Sequence, residues 1–176
     1  MKLRRCFVLA LALIALAPRG RAQQIPSTSV DTLSGGHLVL PVPAATKPLI
    51  VLISFSHKGG DDAESWNKLF KVPYETDHRV DYCEIADFQG VPSFVMKMIL
   101  HGMRREVHEP EKSHLGLLYA HEEEWKKLVS YKSPDITYVL VATPDGHVVW
   151  QTQGPATAAK AAQLEDTING LALHRP

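Results

Sequence analysis

Cysteine is nearly absent from this chain of 176 residues, which contains two, Cys6 and Cys83. There is no Cys-x-x-Cys pair in the sequence, so redox cycling between two neighbouring thiols of one chain is excluded. If an N-terminal segment carrying Cys6 is removed, Cys83 is the last thiol and an intramolecular disulfide is impossible. We therefore expect packing, not disulfide bonding, to stabilise the fold.

Long apolar runs are also missing. The longest, CFVLALALIALA at 6–17, follows the basic start MKLRR and precedes the small residues Gly20 and Ala22. As a helix it spans about 18 Å, whereas the hydrocarbon core of a bilayer is about 30 Å thick. A membrane anchor is the alternative, but this pattern predicts a signal peptide at 1–22, cleaved before Gln23. We expect an exported protein, periplasmic or secreted, with no stable membrane insertion after cleavage.

An excess of positive charge is missing as well. The chain has 19 Lys and Arg residues and 19 Asp and Glu residues. Residues 1–22 contain five of the basic residues and none of the acids, so residues 23–176 have 14 basic and 19 acidic side chains and a formal net charge of −5. Binding to phosphate backbones requires a basic surface. The composition therefore argues against a nucleic-acid partner.

Hydrophobic patterning predicts one domain at 35–176, preceded by a flexible leader at 23–34. Strands that alternate with helices indicate the α/β class, with a central sheet covered by helices on both faces. A closing antiparallel hairpin, with Pro and Gly in its turn, makes that sheet mixed. In chain order, the predicted elements are strands around 37–40 and 49–55, a helix over 61–72 that begins at two aspartates and stops at Pro73, a strand in RVDYCEIADF, a helix in PSFVMKMILHGMRREV, a strand in SHLGLLYA, a helix in HEEEWKKLV, the hairpin in ITYVLVATPDGHVVWQT and a last helix in TAAKAAQLEDTINGLAL.

Helical spacing predicts which side chains of the first two helices face the core. The inward positions are expected to be Trp66, Leu69 and Phe70 in the first helix, and Val95, Met98, Ile99 and Met103 in the second.

Several phrases carry a family resemblance that covers most of residues 33–173. They are LSGGHLVLP, ISFSHKGGDDAESW, GVPSFVMKMILHGMRREV, YVLVATPDGHVVWQTQGPA and the closing helix. In these phrases and their order the chain resembles the thioredoxin-like superfamily, and within it the branch of mitochondrial ATP-synthase assembly factors and their bacterial relatives. The resemblance implies a thioredoxin-like fold and a role in helping other proteins to assemble.

The chain departs from the family pattern at the turn where thioredoxins hold their redox cysteines. That turn is SHKGG at 56–60 and contains no sulfur. Thioredoxins also place a cis-proline just before the third core strand, whereas Pro134 is separated from that strand by Asp-Ile-Thr. The resemblance therefore implies a redox-inactive, non-catalytic module that binds another protein through a rim formed by Ser56, His57 and Lys58.

Cys83 is the candidate residue for an alternative function, that of a single-cysteine thiol peroxidase. A peroxidatic thiol must be exposed, and its pKa must be lowered by a helix N-terminus or a cation. Cys83 instead lies inside a predicted strand, where the neighbouring acids Asp81 and Glu84 would raise its pKa. These features favour a small buried hydrophobic residue over a catalytic thiol.

Four histidines suggest a second alternative, a copper-handling protein. His101, His108, His114 and His121 follow one another at intervals of seven, six and seven residues, with Met103 among them. Imidazole and thioether groups are copper ligands. However, these intervals do not match a compact pattern such as His-x3-His on one helix face. Ordinary surface and core histidines are the favoured interpretation, and no metal or other cofactor is expected.

Two remaining polar pairs have simple structural explanations. Ser56 and His57 could suggest a nucleophile with its base, but adjacent turn residues rarely orient toward each other and there is no Gly-x-Ser-x-Gly motif. Arg104 and Arg105 fall at the predicted end of the second helix, where cations complement the helix dipole. The same two arginines could also dock an acidic partner.

Overall fold

The structure is a computed structural model that describes residues 23–70 and 79–173. The predicted signal peptide and the predicted helix end at 71–73 lie outside these residues. The described strands are β1 (Thr28–Thr32), β2 (His37–Leu40), β3 (Leu49–Ser54), β4 (Asp81–Asp87), β5 (Leu115–Leu118), β6 (Tyr138–Ala142) and β7 (Val148–Gln153). The described helices are α1 (His57–Phe70), α2 (Ser93–Glu106), α3 (Glu111–His114), α4 (Glu122–Leu128) and α5 (Ala158–Leu173).

The seven strands form one mixed sheet in the order β2-β1-β5-β4-β3-β6-β7. Strand β4 runs parallel to both β3 and β5, whereas β6 pairs antiparallel with β3 and β7. The carboxyl ends of β3, β4 and β5 therefore meet at one edge of the sheet. Helices α1, α2 and α4 all begin beyond that edge, because each follows one of these three strands.

Helices cover both faces of the sheet, as the alternation of strands and helices predicts. On one face α1 and α5 pack over β3 and β6 through Trp66, Leu164 and Ile168. On the same face α2 packs over β5, with Leu100 as its buried residue. On the other face α4 packs through Trp125 and Leu128.

Strand β3 lies in the interior of the sheet, between β4 and β6, and each of its residues is buried. Its sequence LIVLIS has no charged residue, which suits a strand covered on both faces. Its alternate side chains enter the two separate cores, Ile50 and Leu52 on the α1 face and Val51 and Ile53 on the α4 face. The sequence-based prediction of this buried strand is confirmed.

The predicted flexible leader at 23–34 is wrong, because this segment contributes a strand. In β1, Thr28, Val30 and Thr32 are buried and alternate with two exposed residues. Strand β1 pairs antiparallel with β2 and β5. Hydrophobic patterning did not predict this strand, because two of its three inward residues are threonines. The ordered domain therefore includes residues before 35.

Helix α1 begins four residues earlier than predicted, at His57 and not at Asp61. The glycines at 59 and 60, which suggested a turn, lie inside its first turn of helix. Trp66 is buried as expected, but Leu69 is 39% exposed and was wrongly assigned to the core. The side chain of Phe70 lies outside what the structure describes.

The inward face of α2 also differs from the prediction. Leu100 is buried, and Met96, Met103 and Val107 pack beside it at helical intervals. Met98, which was predicted to face the core, is 69% exposed, and Ile99 is exposed as well. The helix is apolar on more than one side, so spacing alone did not identify the side that packs.

No helix in the described ranges combines the length and the apolar character that crossing a membrane requires.

We predict that Val30→Ala destabilises the protein by about 2 kcal/mol, because two buried methyl groups are lost from the contact between β1 and the core. The exposed neighbour Ser29 is the matched control, and Ser29→Ala should change the free energy of unfolding by less than about 0.5 kcal/mol. Urea unfolding followed by circular dichroism measures both. Equal, small effects at the two positions would contradict an ordered β1.

Candidate functional site

The turn between β3 and α1 is fastened by the hydroxyl of Ser56. Its Oγ lies 2.9 Å from the carbonyl oxygen of Pro134, to which it donates, and it accepts a hydrogen bond from the backbone N–H of Gly59 at 3.2 Å. The second bond is that of a helix N-cap, which satisfies one of the free N–H groups at the start of α1. Ser56 therefore connects the helix start to the loop before β6 and has a structural role.

Charge reinforces the same connection. Lys58 Nζ lies 3.3 Å from Asp135 Oδ2, and Asp135 Oδ1 lies 3.4 Å from Ser56 Oγ. Since both partners of the ion pair are substantially exposed, the pair itself contributes little stability. The pair places the Lys58 ammonium group beside Asp135, at the edge of the rim.

A buried chain of hydroxyl groups lies directly beneath this turn. Thr137 Oγ1 donates to the carbonyl oxygen of Gly59, and Ser54 Oγ lies 3.0 Å from Thr137 Oγ1. Because the single proton of the threonine hydroxyl is used toward Gly59, Ser54 donates to Thr137. The two residues join the end of β3, the first turn of α1 and the start of β6.

Gly59 lets the helix approach this loop closely. A Cβ atom at this position would lie 2.8 Å from the carbonyl oxygen of Pro134 and 3.3 Å from that of Ile136. No side chain fits there unless the loop moves. The first turn of α1 is therefore packed against backbone at the position where a side chain would otherwise project.

His57 faces solvent and does not act on Ser56. Its side chain is 94% exposed, and its Nδ1 lies 3.7 Å from Asp61 Oδ1. The sequence-based rejection of a serine–histidine pair agrees with this geometry. The rim of Ser56, His57 and Lys58 thus has one serine used in the turn and two exposed cationic or titratable groups. The peptide bond before Pro134 is not among the cis bonds in the described part of the chain, which precede Pro41 and Pro110.

Cys83 is inaccessible. It lies in β4, is 2% exposed and packs in the core beneath α4. Burial, with a smaller contribution from the charge of Glu84, raises the pKa of its thiol to about 12. The thiolate required for attack on a peroxide is therefore absent near neutral pH. The interpretation of Cys83 as a buried hydrophobic residue is supported.

The four candidate histidines occupy different environments. His101 and His108 are exposed, His121 lies 2.8 Å from Glu124, and His114 stacks on Tyr82, with its Nδ1 3.2 Å from the carbonyl oxygen of that tyrosine. Within residues 23–70 and 79–173, no group of three or more His, Cys, Asp or Glu side chains is arranged to hold a metal ion. Arg104 and Arg105 lie in the last turn of α2, as predicted, and both are exposed.

A cleft that the motifs did not reveal lies between α1 and α2. Its volume is about 540 Å³, and Glu84 of β4 lies at its base. Glu84 projects from the same face of β4 as Tyr82, which fits the alternation of that strand. The cleft is lined by Gly60, Asp61, Glu64, Asn67, Lys68, Tyr82, Glu84, Met103, Glu106, Val107, His108, Glu111 and Leu115.

A pair of carboxyl groups lies at the carboxyl end of the sheet. Burial raises the pKa of Asp87 to about 6, opposed by a hydrogen bond from the backbone N–H of Gln89 and assisted by the adjacent carboxyl of Glu122. Lys126 Nζ lies 2.5 Å from Glu122 Oε1. Sequence reasoning missed this pair because the two acids are 35 positions apart and are brought together by the start of α4.

We predict that a thiol reagent does not label Cys83 in the folded protein. The experiment uses the full chain with Cys6→Ser, so that one thiol remains, and dithionitrobenzoate at pH 8. The expected result is reaction in guanidinium and none over hours in buffer, because the thiol is buried and protonated. Rapid labelling without denaturant would contradict the buried placement.

We also predict that stability falls as pH rises from about 4 to about 6. In this window folded Asp87 retains a proton that unfolded Asp87 loses, so raising the pH favours unfolding. Asp87→Asn should reduce this fall and be more stable than the parent at pH 7. The exposed Asp166 is the control, and Asp166→Asn should retain the parent's pH profile. Thermal melts at pH 4, 5, 6 and 7 provide the measurement.

Solved structures with this architecture have been found, although no family model and no curated protein matches the sequence. An uncharacterized conserved protein from Geobacillus kaustophilus matches with a TM-score of 0.60 and 13% identity, over 88% of this chain and 83% of that chain. BsSco, a member of the Sco family of cytochrome c oxidase assembly proteins, matches with a TM-score of 0.58 and 9% identity, over 88% and 96%.

The exposed lipoprotein thioredoxin Etrx1 from Streptococcus pneumoniae matches with a TM-score of 0.56 and 10% identity, over 83% of this chain and 100% of that chain. Sequence identities this low carry information about the fold and not about activity. The mixed sheet, the helices on both faces and the closing hairpin followed by α5 agree with these neighbours. The chain has a thioredoxin-like fold.

Proposed function

We propose that this protein is an exported, redox-inactive module that binds another polypeptide and serves an assembly role. The observation that carries the proposal is that neither the turn before α1 nor Cys83 offers an accessible thiol. The turn before α1 uses Ser56 to fasten the helix, and Cys83 is buried in β4 with a protonated thiol. Without an accessible thiol, the scaffold can hold a partner but cannot exchange disulfides with it.

The export part of the proposal rests on the sequence of residues 1–22. A basic start, a short apolar run and small residues before Gln23 are the features of a secretory signal. The assembly part rests on the resemblance to the ATP-synthase assembly-factor branch. BsSco, a fold neighbour, is described as a member of a family of assembly proteins, so this fold does occur in such a role.

Exposed apolar side chains support a polypeptide as the ligand. Phe94 is 77% exposed and Met98 is 69% exposed, and they lie one turn apart on α2. Large apolar side chains exposed together are typical of interaction surfaces. The first turn of α2 follows the carboxyl end of β4, so Phe94 lies at the same end of the sheet as the rim of Ser56, His57 and Lys58.

Cations accompany these apolar side chains. Lys97, Arg104 and Arg105 belong to α2 and are exposed, and the helix has no acid before its last residue, Glu106. A partner that covers Phe94 and Met98 would therefore meet positive charge from α2 and, at the rim, from Lys58. We expect the contacting part of the partner to be amphipathic, with acidic residues beside its apolar ones.

Site-specific photocrosslinking tests the proposal. A photoreactive amino acid is placed at Lys58 or at Met98, and at Asp166 on α5 as the matched exposed control. We expect one discrete adduct in the native envelope from both test positions and none from the control. The adduct from Lys58 should be lost when Phe94→Asp is added, because both positions are proposed to contact the same partner.

A redox assay tests the claim that the module is redox-inactive. The purified chain should not accelerate insulin reduction by dithiothreitol or consume hydrogen peroxide. Turnover of either substrate that disappears in Cys83→Ser would refute a redox-inactive module. Identical adducts from all three crosslinking positions, or adducts unaffected by Phe94→Asp, would count against the proposed surface.

A further inference from the structure

The cleft between α1 and α2 has the chemistry of a site for a cation. Among the described residues, five carboxyl groups line the cleft and Lys68 is the one lysine or arginine. Lys68 Nζ lies 2.9 Å from Glu64 Oε1. The described part of the lining thus has more acidic than basic side chains. Two of the lining residues, Gly60 and Asp61, follow the rim residues directly in α1. The cleft therefore lies beside the proposed binding surface.

Glu84 gives the cleft a polar base. Its side chain is mostly buried, and Oε2 accepts a hydrogen bond from Asn67 Nδ2 at 2.9 Å. Burial raises the pKa of this carboxyl, against the effect of the Asn67 hydrogen bond, and the charge of Glu111 raises it further. No hydrogen bond from the described residues reaches Oε1. A carboxylate in this position is poorly solvated and gains from a cation placed beside it.

Asn67, the hydrogen-bond partner of Glu84, supplies a second observation that points to a ligand. Its Oδ1 is buried in the cleft wall and has no hydrogen-bond donor among the described residues. Buried polar atoms are almost always paired, since an unpaired acceptor costs on the order of 1–3 kcal/mol. A ligand with several N–H donors at the base of the cleft could pair with Glu84 Oε1 and, once the amide turns Oδ1 toward the cleft, with Asn67.

Apolar side chains also line the cleft. Tyr82, Met103, Val107 and Leu115 line the cleft together with the carboxyl groups. An aliphatic stem that ends in a planar cation fits this combination. Arginine provides both parts, because its three methylene groups suit apolar walls and its five N–H donors can reach separate acceptors.

We propose that the cleft between α1 and α2 binds an arginine side chain of the partner polypeptide, with Glu84 as the principal acceptor. The proposal deepens the function proposed above and rests on it for the origin of the arginine. The partner would then contact the rim with one segment and insert a basic side chain between the two helices. The exposed acids Asp61, Glu64 and Glu106 would attract that side chain before it reaches Glu84.

Small peptides test the cleft without the partner. The probes are N-acetyl-Ala-Arg-Ala-amide and the same peptide with citrulline, which is nearly isosteric with arginine but uncharged. Titrations of the ¹⁵N-labelled full chain are followed by the amide signals of Asn67, Glu84 and Val107. We expect saturable millimolar binding of the arginine peptide and about tenfold weaker binding of the citrulline peptide, as for the loss of one charge-assisted contact.

Three variants separate a site from nonspecific attraction. Glu84→Gln should weaken the arginine peptide about tenfold and bring it level with the citrulline peptide. Glu106 is exposed at the end of α2, and Glu106→Gln should weaken the arginine peptide about twofold to threefold. Asp166→Asn removes the same charge on α5 and should leave the affinity unchanged.

The opposite results overturn the proposal. Equal affinity for the two peptides, an equal loss in Glu84→Gln and Asp166→Asn, or no saturable shift at 10 mM peptide would each do so. Because these titrations need no partner, their failure leaves the crosslinking result untouched. Conversely, arginine binding in the cleft without any crosslinked partner would retain the cleft as a cation site and refute the proposed polypeptide-binding function.

Discussion

The close approach of α1 to the loop before β6 is the constraint on which the site depends. A Cβ at Gly59 would lie 2.8 Å from the carbonyl oxygen of Pro134, so the first turn of the helix lies directly against backbone. Ser56 and Thr137 hold the two segments together by hydrogen bonds, one above and one below this contact. A side chain at position 59 would meet this backbone, and the hydroxyl groups of Ser56 and Thr137 are already used in hydrogen bonds.

The second constraint is that α1 and α2, which lie on the same face of the sheet, pack into separate cores on either side of β4. Helix α1 packs into the core around Trp66, whereas α2 packs into a separate core around Leu100. Between them Tyr82 and Glu84 of β4 are covered by neither helix completely. The cleft is thus a consequence of two helices that bury their apolar faces against different strands of one sheet. Its polar base follows from the alternation of side chains along β4.

Patterns in the sequence predicted most strands and helices, because the buried face of a helix or strand requires apolar residues at regular intervals. The apolar run of β3, the Pro-Asp-Gly hairpin between β6 and β7, and the last helix are confirmed. The failures have physical causes. Strand β1 buries threonines whose hydroxyls look polar in sequence, and α2 has apolar residues on several sides, of which only the side around Leu100 meets the core.

The sequence by itself determined which thiols this chain contains and where they stand. A single thiol after residue 22 and a cysteine-free turn before α1 follow from composition and order, which no folding can alter. Tertiary structure decided what the remaining groups do, because pKa, exposure and pairing depend on neighbours distant in the chain. It buried Cys83 beneath α4, joined Ser56 to Pro134 across 78 positions, and placed Glu84 and Asn67 together at the base of a cleft.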